Sequence, residues 1–327
     1  NVNDRGTLEW VLGEFTQYAE GRLTPFQAAV LKLAQSDVEL ILDEHSRCLE
    51  HLDGVDWNRY ALEGDEEAHL DGLVAMHRGS CLRALRRSAE SMEEMLSALA
   101  NLNKTSSATP FAKSRVLTVL ANIHYELGRY NEAIEYDLDG LVHARQTGRS
   151  GLIIPIQINL ASSYRALDSL SLALDTYSEV LELAEQEQND YLNARMSMNM
   201  GNLLVDIGQY DTAIDYLTRA YTLSNEIGLP FGALLGLVNL GNAYLESGQY
   251  ADALSYTLEA LEQSKGGAFS SLEPVILKNL SMIQQALGNY EESLSYLQAH
   301  IEISDSLDNL RQEETILELR EAYQADL

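Results

Sequence analysis

The sequence predicts an all-α solenoid of stacked helical hairpins, and three observations carry that expectation. Small residues recur with a 40-residue period, apolar residues inside each copy follow helical spacing, and no stretch alternates as a strand does. Gly128, Gly208, Gly248 and Gly288 keep the period, with Asp168 in the one vacant slot. Tyr130, Leu170, Tyr210, Tyr250 and Tyr290 follow two residues later, and Ala133, Ala173, Ala213, Ala253 and Ser293 three further on. Seven before each slot stand Ala121, Ala161, Gly201, Gly241 and Ser281. Five aligned copies with small residues in the same columns are not chance.

Each element follows from local chemistry. Residues 1–103 are helical in pattern but lack the 40-residue register. Leu23 to Gln27 reads as a cap with Pro25 at a helix start, leading into a helix over Ala28–Leu52. A loop rich in Gly and acid follows from Gly54 to Asp65. Glu67–Leu85 and Ser88–Asn103 then form a helix pair, read either as a cap or as an eroded repeat. Residues 104–113 read as a linker, because Asn-Lys-Thr-Ser-Ser-Ala-Thr-Pro punctuates the pattern. Residues 114–304 hold the five repeats. In each, a first helix runs to the slot, where Gly in four of the five suits left-handed C-cap geometry, and a second helix opens two residues later. Pro155, Pro230 and Pro274 are expected at or just before first helices, where Pro is tolerated. Residues 305–327 form a charged helical stretch, either a solvating cap or a coiled-coil connector into an effector beyond Leu327.

Composition excludes several function classes. The 327 residues are 46% hydrophobic, which rules out wholesale disorder. A net charge of −28 repels phosphate backbones and anionic lipid, so neither nucleic acid nor membrane is expected as a partner. No apolar run approaches the ~20 residues that span a bilayer. Only Cys48 and Cys81 are present, so a disulfide framework is excluded and a cytoplasmic setting is expected. No phosphate loop, H-E-x-x-H or G-x-S-x-G motif occurs, so the chain reads as non-enzymatic and without a cofactor. His45, Cys48, His77 and Cys81 pair at helical spacing and would suit zinc if the two pairs faced each other. The same flanks fit amphipathic helices with Cys in the core, and no metal site is assigned.

The run Asn239-Leu240-Gly241-Asn242-Ala243-Tyr244, then Gly248-Gln249-Tyr250, Ala253-Leu254 and Tyr256, resembles the tetratricopeptide repeat (TPR) signature. Gly201-Asn202 with Gly208-Gln209-Tyr210 and Ala213-Ile214 matches almost as well. The period is 40 where 34 is usual. That longer form is similar to the repeats of Rap- and PlcR-type peptide receptors, Pins/LGN scaffolds, kinesin light chains and the sensory regions of bacterial signalling proteins. The resemblance implies a right-handed superhelix with a concave wall made by the first helices. It assigns most of the 14 Tyr between Tyr125 and Tyr296 to packing columns.

One constellation points to an activity. Asn159, Asn199, Asn239 and Asn279 recur at the repeat period, and Asn122, Asn202 and Asn242 form a second column three positions later. Spacing of i and i+3 puts both columns on one helix face. Asn is a middling helix former, so propensity does not explain seven of them. By resemblance these columns face the groove, where an amide, being donor and acceptor, pairs with the main chain of an extended peptide. The alternative is that the amides bond within the array or to water. Arg115, Arg195 and Lys278 share the inner columns with Glu126, Asp206 and Glu246, suggesting a ligand of mixed polarity. The expected function is therefore a regulatory module binding a peptide or protein segment. The rival is the sensory or dimerising part of a histidine kinase or diguanylate cyclase, with a homodimer contact through the C-terminal helix.

Overall fold

In a computed structural model, described over residues 23–41, 45–106, 109–265 and 269–306, every regular element is a helix. Helix α1 spans Pro25–Ile41, α2 His45–Asp53, α3 Asp65–Ala84 and α4 Ser88–Lys104. There follow α5 (Pro110–Glu126), α6 (Tyr130–Thr147), α7 (Ser150–Ala166), α8 (Leu170–Gln186), α9 (Asp190–Ile207) and α10 (Tyr210–Glu226). Helices α11 (Pro230–Glu246), α12 (Tyr250–Ser264) and α13 (Glu273–Ala286) precede α14, residues 290–306. The C-terminal stretch expected over 305–327 lies, beyond residue 306, outside the described residues. So does 1–22 of the N-terminal region.

The turns are built by one device. At each repeat slot a residue takes positive φ: +71° at Gly128, +81° at Gly208, +79° at Gly248, +82° at Gly288 and +57° at Asp168. The next residue's N–H then donates back to a carbonyl of the last helical turn, as Gln249 N does to Tyr244 O at 2.9 Å. This 6→1 bond is the Schellman closure, and left-handed backbone costs glycine least. The links between hairpins repeat it at Gln188 and Gly228; Gly148 also takes positive φ, but there Arg149 N donates to Thr147 Oγ1 at 3.2 Å.

The same wiring appears where sequence recurrence did not reveal it. Arg86 has φ +59°, Arg87 N donates to Leu82 O at 2.9 Å, and Arg86 N to Arg83 O at 2.9 Å. Gly79 stands seven before Arg86 and Ser91 five after, matching Ala121 and Ala133 around Gly128. Helices α3 and α4 are thus a further hairpin of the array. Its slot falls 42 residues before Gly128 and holds Arg, which hid it from a 40-residue comparison.

Two expectations need correction. The helix expected over Ala28–Leu52 is two helices, α1 and α2, which pack on each other, as one straight helix could not. Pro155 does not precede its helix; it lies inside α7.

The chain forms two compact units, residues 1–176 and 177–327. In the first, Met76, Met95, Leu102, Val116 and Leu120 join the α3–α4 hairpin to α5. Leu33, Cys48, Leu52, Leu70 and Cys81 make a second cluster under α1 and α2. In the second unit, Leu234, Leu237, Ile276 and Leu280 pack α11 on α13. Close approach depends on missing side chains: a Cβ at Gly201 would lie 2.5 Å from Leu217, and one at Gly241 2.3 Å from Thr257. Among the described residues no helix is long and apolar enough to cross a membrane.

Candidate functional site

The asparagines sit on the first helices of the hairpins because their neighbours face inward. Leu120 and Ile123 flank Asn122, while Met196, Met200 and Leu203 surround Asn199 and Asn202, all of them buried. The amides themselves are half-buried, apart from the buried Asn279. In the first unit Asn159 on α7 donates through Nδ2 to Asn122 Oδ1 on α5 at 2.9 Å. The two columns therefore meet across neighbouring hairpins.

The second unit places the same residue types at the same positions, Asn202 with Asn239 and Asn242 with Asn279. There the side-chain amides, that of Asn199 included, make no hydrogen bond among the described residues. Asp137 on α6 is 0% exposed, and neither carboxylate oxygen has a hydrogen-bond partner among the described residues. Leu217 and Thr257 hold its place on α10 and α12. Burial raises the Asp137 carboxyl to about 8, and the Asn159 amide is the side chain that works against the rise.

The expected cations divide. Arg195 and Lys278 are exposed and make no ion pair among the described residues. Arg115 is half-buried, 3.6 Å from Asp37 of α1 and 5.8 Å from the Phe111 ring centre. With Thr118, Val119, Gly151, Leu152 and Pro155 it lines a shallow cavity of about 140 Å³ on the α5–α7 face. Glu126 accepts from Arg83 at 2.8 Å.

The Cys and His cluster forms, but not as a zinc tetrahedron. Cys48 and Cys81 are brought together by α2 and α3, with Cα atoms 6.1 Å apart, and bond to each other. Their sulfurs are thus spent, correcting the exclusion of a disulfide drawn from the cysteine count. His77 turns instead to Ser36 Oγ, 2.9 Å from its Nδ1, and to Asp37 at 3.4 Å. Burial pushes the His77 ring below its ordinary value; Asp37 opposes this and Arg115 adds to it. In the α3–α4 hairpin His77 occupies the position that Asn159 holds in α7, so α1 covers the first place in that column.

Sequence reasoning missed the apolar company of the open amides. Tyr191 is 57% and Phe231 46% exposed, at matching positions on α9 and α11, and Val275 and Met282 are exposed on α13. Tyr244 and Tyr256, by contrast, stack at 5.3 Å within the hairpin core.

The Tetratricopeptide repeat family profile matches residues 152–226 and 232–306, and a second profile of the same description matches 115–142. Together these cover more than half of the chain. It is a tetratricopeptide-repeat protein. This TPR chain is 25% identical over 114 residues to the 43 kDa receptor-associated protein of the synapse from Gallus gallus, covering 35% of this chain and 28% of that one. It thus spans under a third of that relative. Its fold is similar to the apo form of RapI, with a TM-score of 0.70, 14% identity and 94% of each chain covered. It is also similar to NprR in complex with its cognate peptide NprX, with a TM-score of 0.55, 20% identity, and 81% and 78% covered. At such identities the likeness is one of TPR fold.

Proposed function

We propose that this TPR protein is a non-enzymatic regulatory module that binds an extended peptide or protein segment along its first helices. The observation that carries the reading is the set of open amides on α9, α11 and α13. Asn199, Asn202, Asn239, Asn242 and Asn279 hold donors and acceptors that no described side chain or main chain takes up. A polypeptide backbone supplies both complements at regular intervals, whatever its side chains. Asn122, Asn159 and Arg115 offer a like face in the first unit. Exposed Tyr191, Phe231, Val275 and Met282 would take apolar side chains of the ligand, and Arg195 and Lys278 its acidic groups or carboxyl end. That NprR, of similar fold, is known with a bound peptide supports the choice of ligand class. The cytoplasmic setting expected from the cysteine count loses that ground with the Cys48–Cys81 disulfide.

The test begins with a displayed library of random heptapeptides. Peptides that bind the wild type should bind Asn199→Ala/Asn239→Ala more weakly, while the variant keeps its melting temperature. Equal affinity for the two proteins would remove the amides from the site.

A further inference from the structure

The turns inside the hairpins of the first unit carry a charge that those of the second do not. Arg86, Arg87, Arg129 and Arg165 are exposed at the ends of α3, α5 and α7 or just beyond them. The corresponding turns after α9, α11 and α13 hold Asp206, Gln209, Glu246, Gln249 and Asn289. Arg83 donates to Glu126 Oε1 at 2.8 Å, so the α3–α4 and α5–α6 turns lie side by side on one edge. In a chain of net charge −28 this edge is a basic island.

Some of these arginines are spent. Arg87 donates to both carboxylate oxygens of Glu90, at 2.7 Å and 2.5 Å, and Arg83 is held by Glu126. The side chains of Arg86 and Arg129 make no hydrogen bond or ion pair among the described residues. Neither stands where stability would put an arginine. Arg86 takes φ +59° in a slot that Gly128, Gly208, Gly248 and Gly288 fill at less cost. Arg129 is the N-cap of α6, where its side chain makes no capping bond and its charge faces the positive end of the helix dipole. In the second unit Gln209 and Gln249 hold that place. Apolar side chains share the same turns: Leu127 is 52% exposed, Leu167 38% and Tyr125 40%, with the Tyr125 ring 5.3 Å from that of Tyr130. Arginine and tyrosine among apolar side chains suit a protein interface, whereas a phosphate backbone would meet the repulsion of the remaining charge.

We propose that this turn edge is a docking surface for an acidic, amphipathic segment of a partner protein. Its carboxylates pair with Arg86 and Arg129, and its apolar side chains cover Tyr125, Leu127 and Leu167. Guanidinium and carboxylate make a strong, bidentate match, and neither arginine has to leave another described partner to form it. The surface uses none of the asparagines, so it stands apart from the peptide reading. A module with an amide face for one ligand and this edge for another partner connects the two.

The test pans a displayed library of short random peptides on the wild type, with Arg86→Gly/Arg129→Gln in solution as competitor. That variant gives both positions the residues of the second unit. The selected peptides should carry Asp or Glu among Leu, Ile or Phe, and should bind the wild type roughly tenfold more tightly than the double variant at low salt. High salt should shrink the margin. Their affinity for Asn199→Ala/Asn239→Ala should match that for the wild type, which separates this edge from the amide face. The double variant should melt no lower than the wild type; a lower melting temperature makes the arginines part of the fold and overturns the proposal. A library without binders, binders without acidic residues, or equal affinity for the two proteins overturns it as well. So does an arginine-dependent dimer in sedimentation, which seats a second copy on the edge, or arginine-dependent binding of a labelled oligonucleotide, which seats a phosphate backbone there.

Discussion

Residues 122 and 159 in one unit and 202 and 239 in the other are the same pair in sequence, yet one is closed and the other open. The comparison teaches that a repeat column does not fix what its side chains do. Ala121 faces the place of a short Asp137, whereas Gly201 gives way to Leu217 and Gly241 to Thr257. In the α9–α10 and α11–α12 hairpins a side chain on the second helix fills the space that a glycine leaves on the first.

The largest expected effect that sharpens this contrast comes from pH. The Asp137 carboxyl titrates near 8 in the fold and near its ordinary 3.8 when unfolded, so the folded state holds a proton that the unfolded chain has released. Its contribution is fullest below about pH 4 and is lost as pH rises through about 8. Urea unfolding of the wild type minus that of Asp137→Asn should therefore decline by about 4 kcal/mol from pH 5 to pH 8, at about 1.4 kcal/mol per unit. A flat difference would mean that the carboxyl is solvated.

Next comes the volume trade. Gly241→Ala puts a Cβ 2.3 Å from Thr257 Oγ1 and should destabilise by about 1–3 kcal/mol in a denaturant titration. Ala121→Gly, the reverse change beside Asp137, should cost under about 1 kcal/mol. Smaller again is the effect of Asn199→Ala/Asn239→Ala on peptide affinity, about 2 kcal/mol by calorimetry at about 1 per lost hydrogen bond. Those amides are open, so thermal stability should not move with them. The smallest is a gain: Gln188 carries φ +52° without being glycine, and Gln188→Gly should raise stability by about 1 kcal/mol. No gain would mean that the Gln side chain repays its backbone.

Much of the architecture was legible because glycine is the residue that left-handed turns select, and Gly128, Gly208, Gly248 and Gly288 mark them at fixed intervals. Arg86 was illegible for the same reason. It adopts the conformation against its preference, and only the small pair Gly79 and Ser91, spaced like Ala121 and Ala133, signals the hairpin. Pro155 misled because proline usually opens helices, yet α7 carries it inside. The cysteines were read one helix face at a time, and their meeting depends on how α2 lies on α3. In the site, the asparagine columns were visible by period, but their state was not. A single Asp on an amphipathic helix reads as solvated, and Asp137 stands out only when set beside Leu217 and Thr257 in a column.

The wiring of the inter-helix turns has a broader consequence. Main-chain atoms close the hinges at Arg86, Asp168 and Gln188, so the side chain at the slot is free to drift there. Architecture of this kind outlives its own signature. An array counted by recurring letters is an underestimate, and its ends, where letters fade first, are where further modules should be sought.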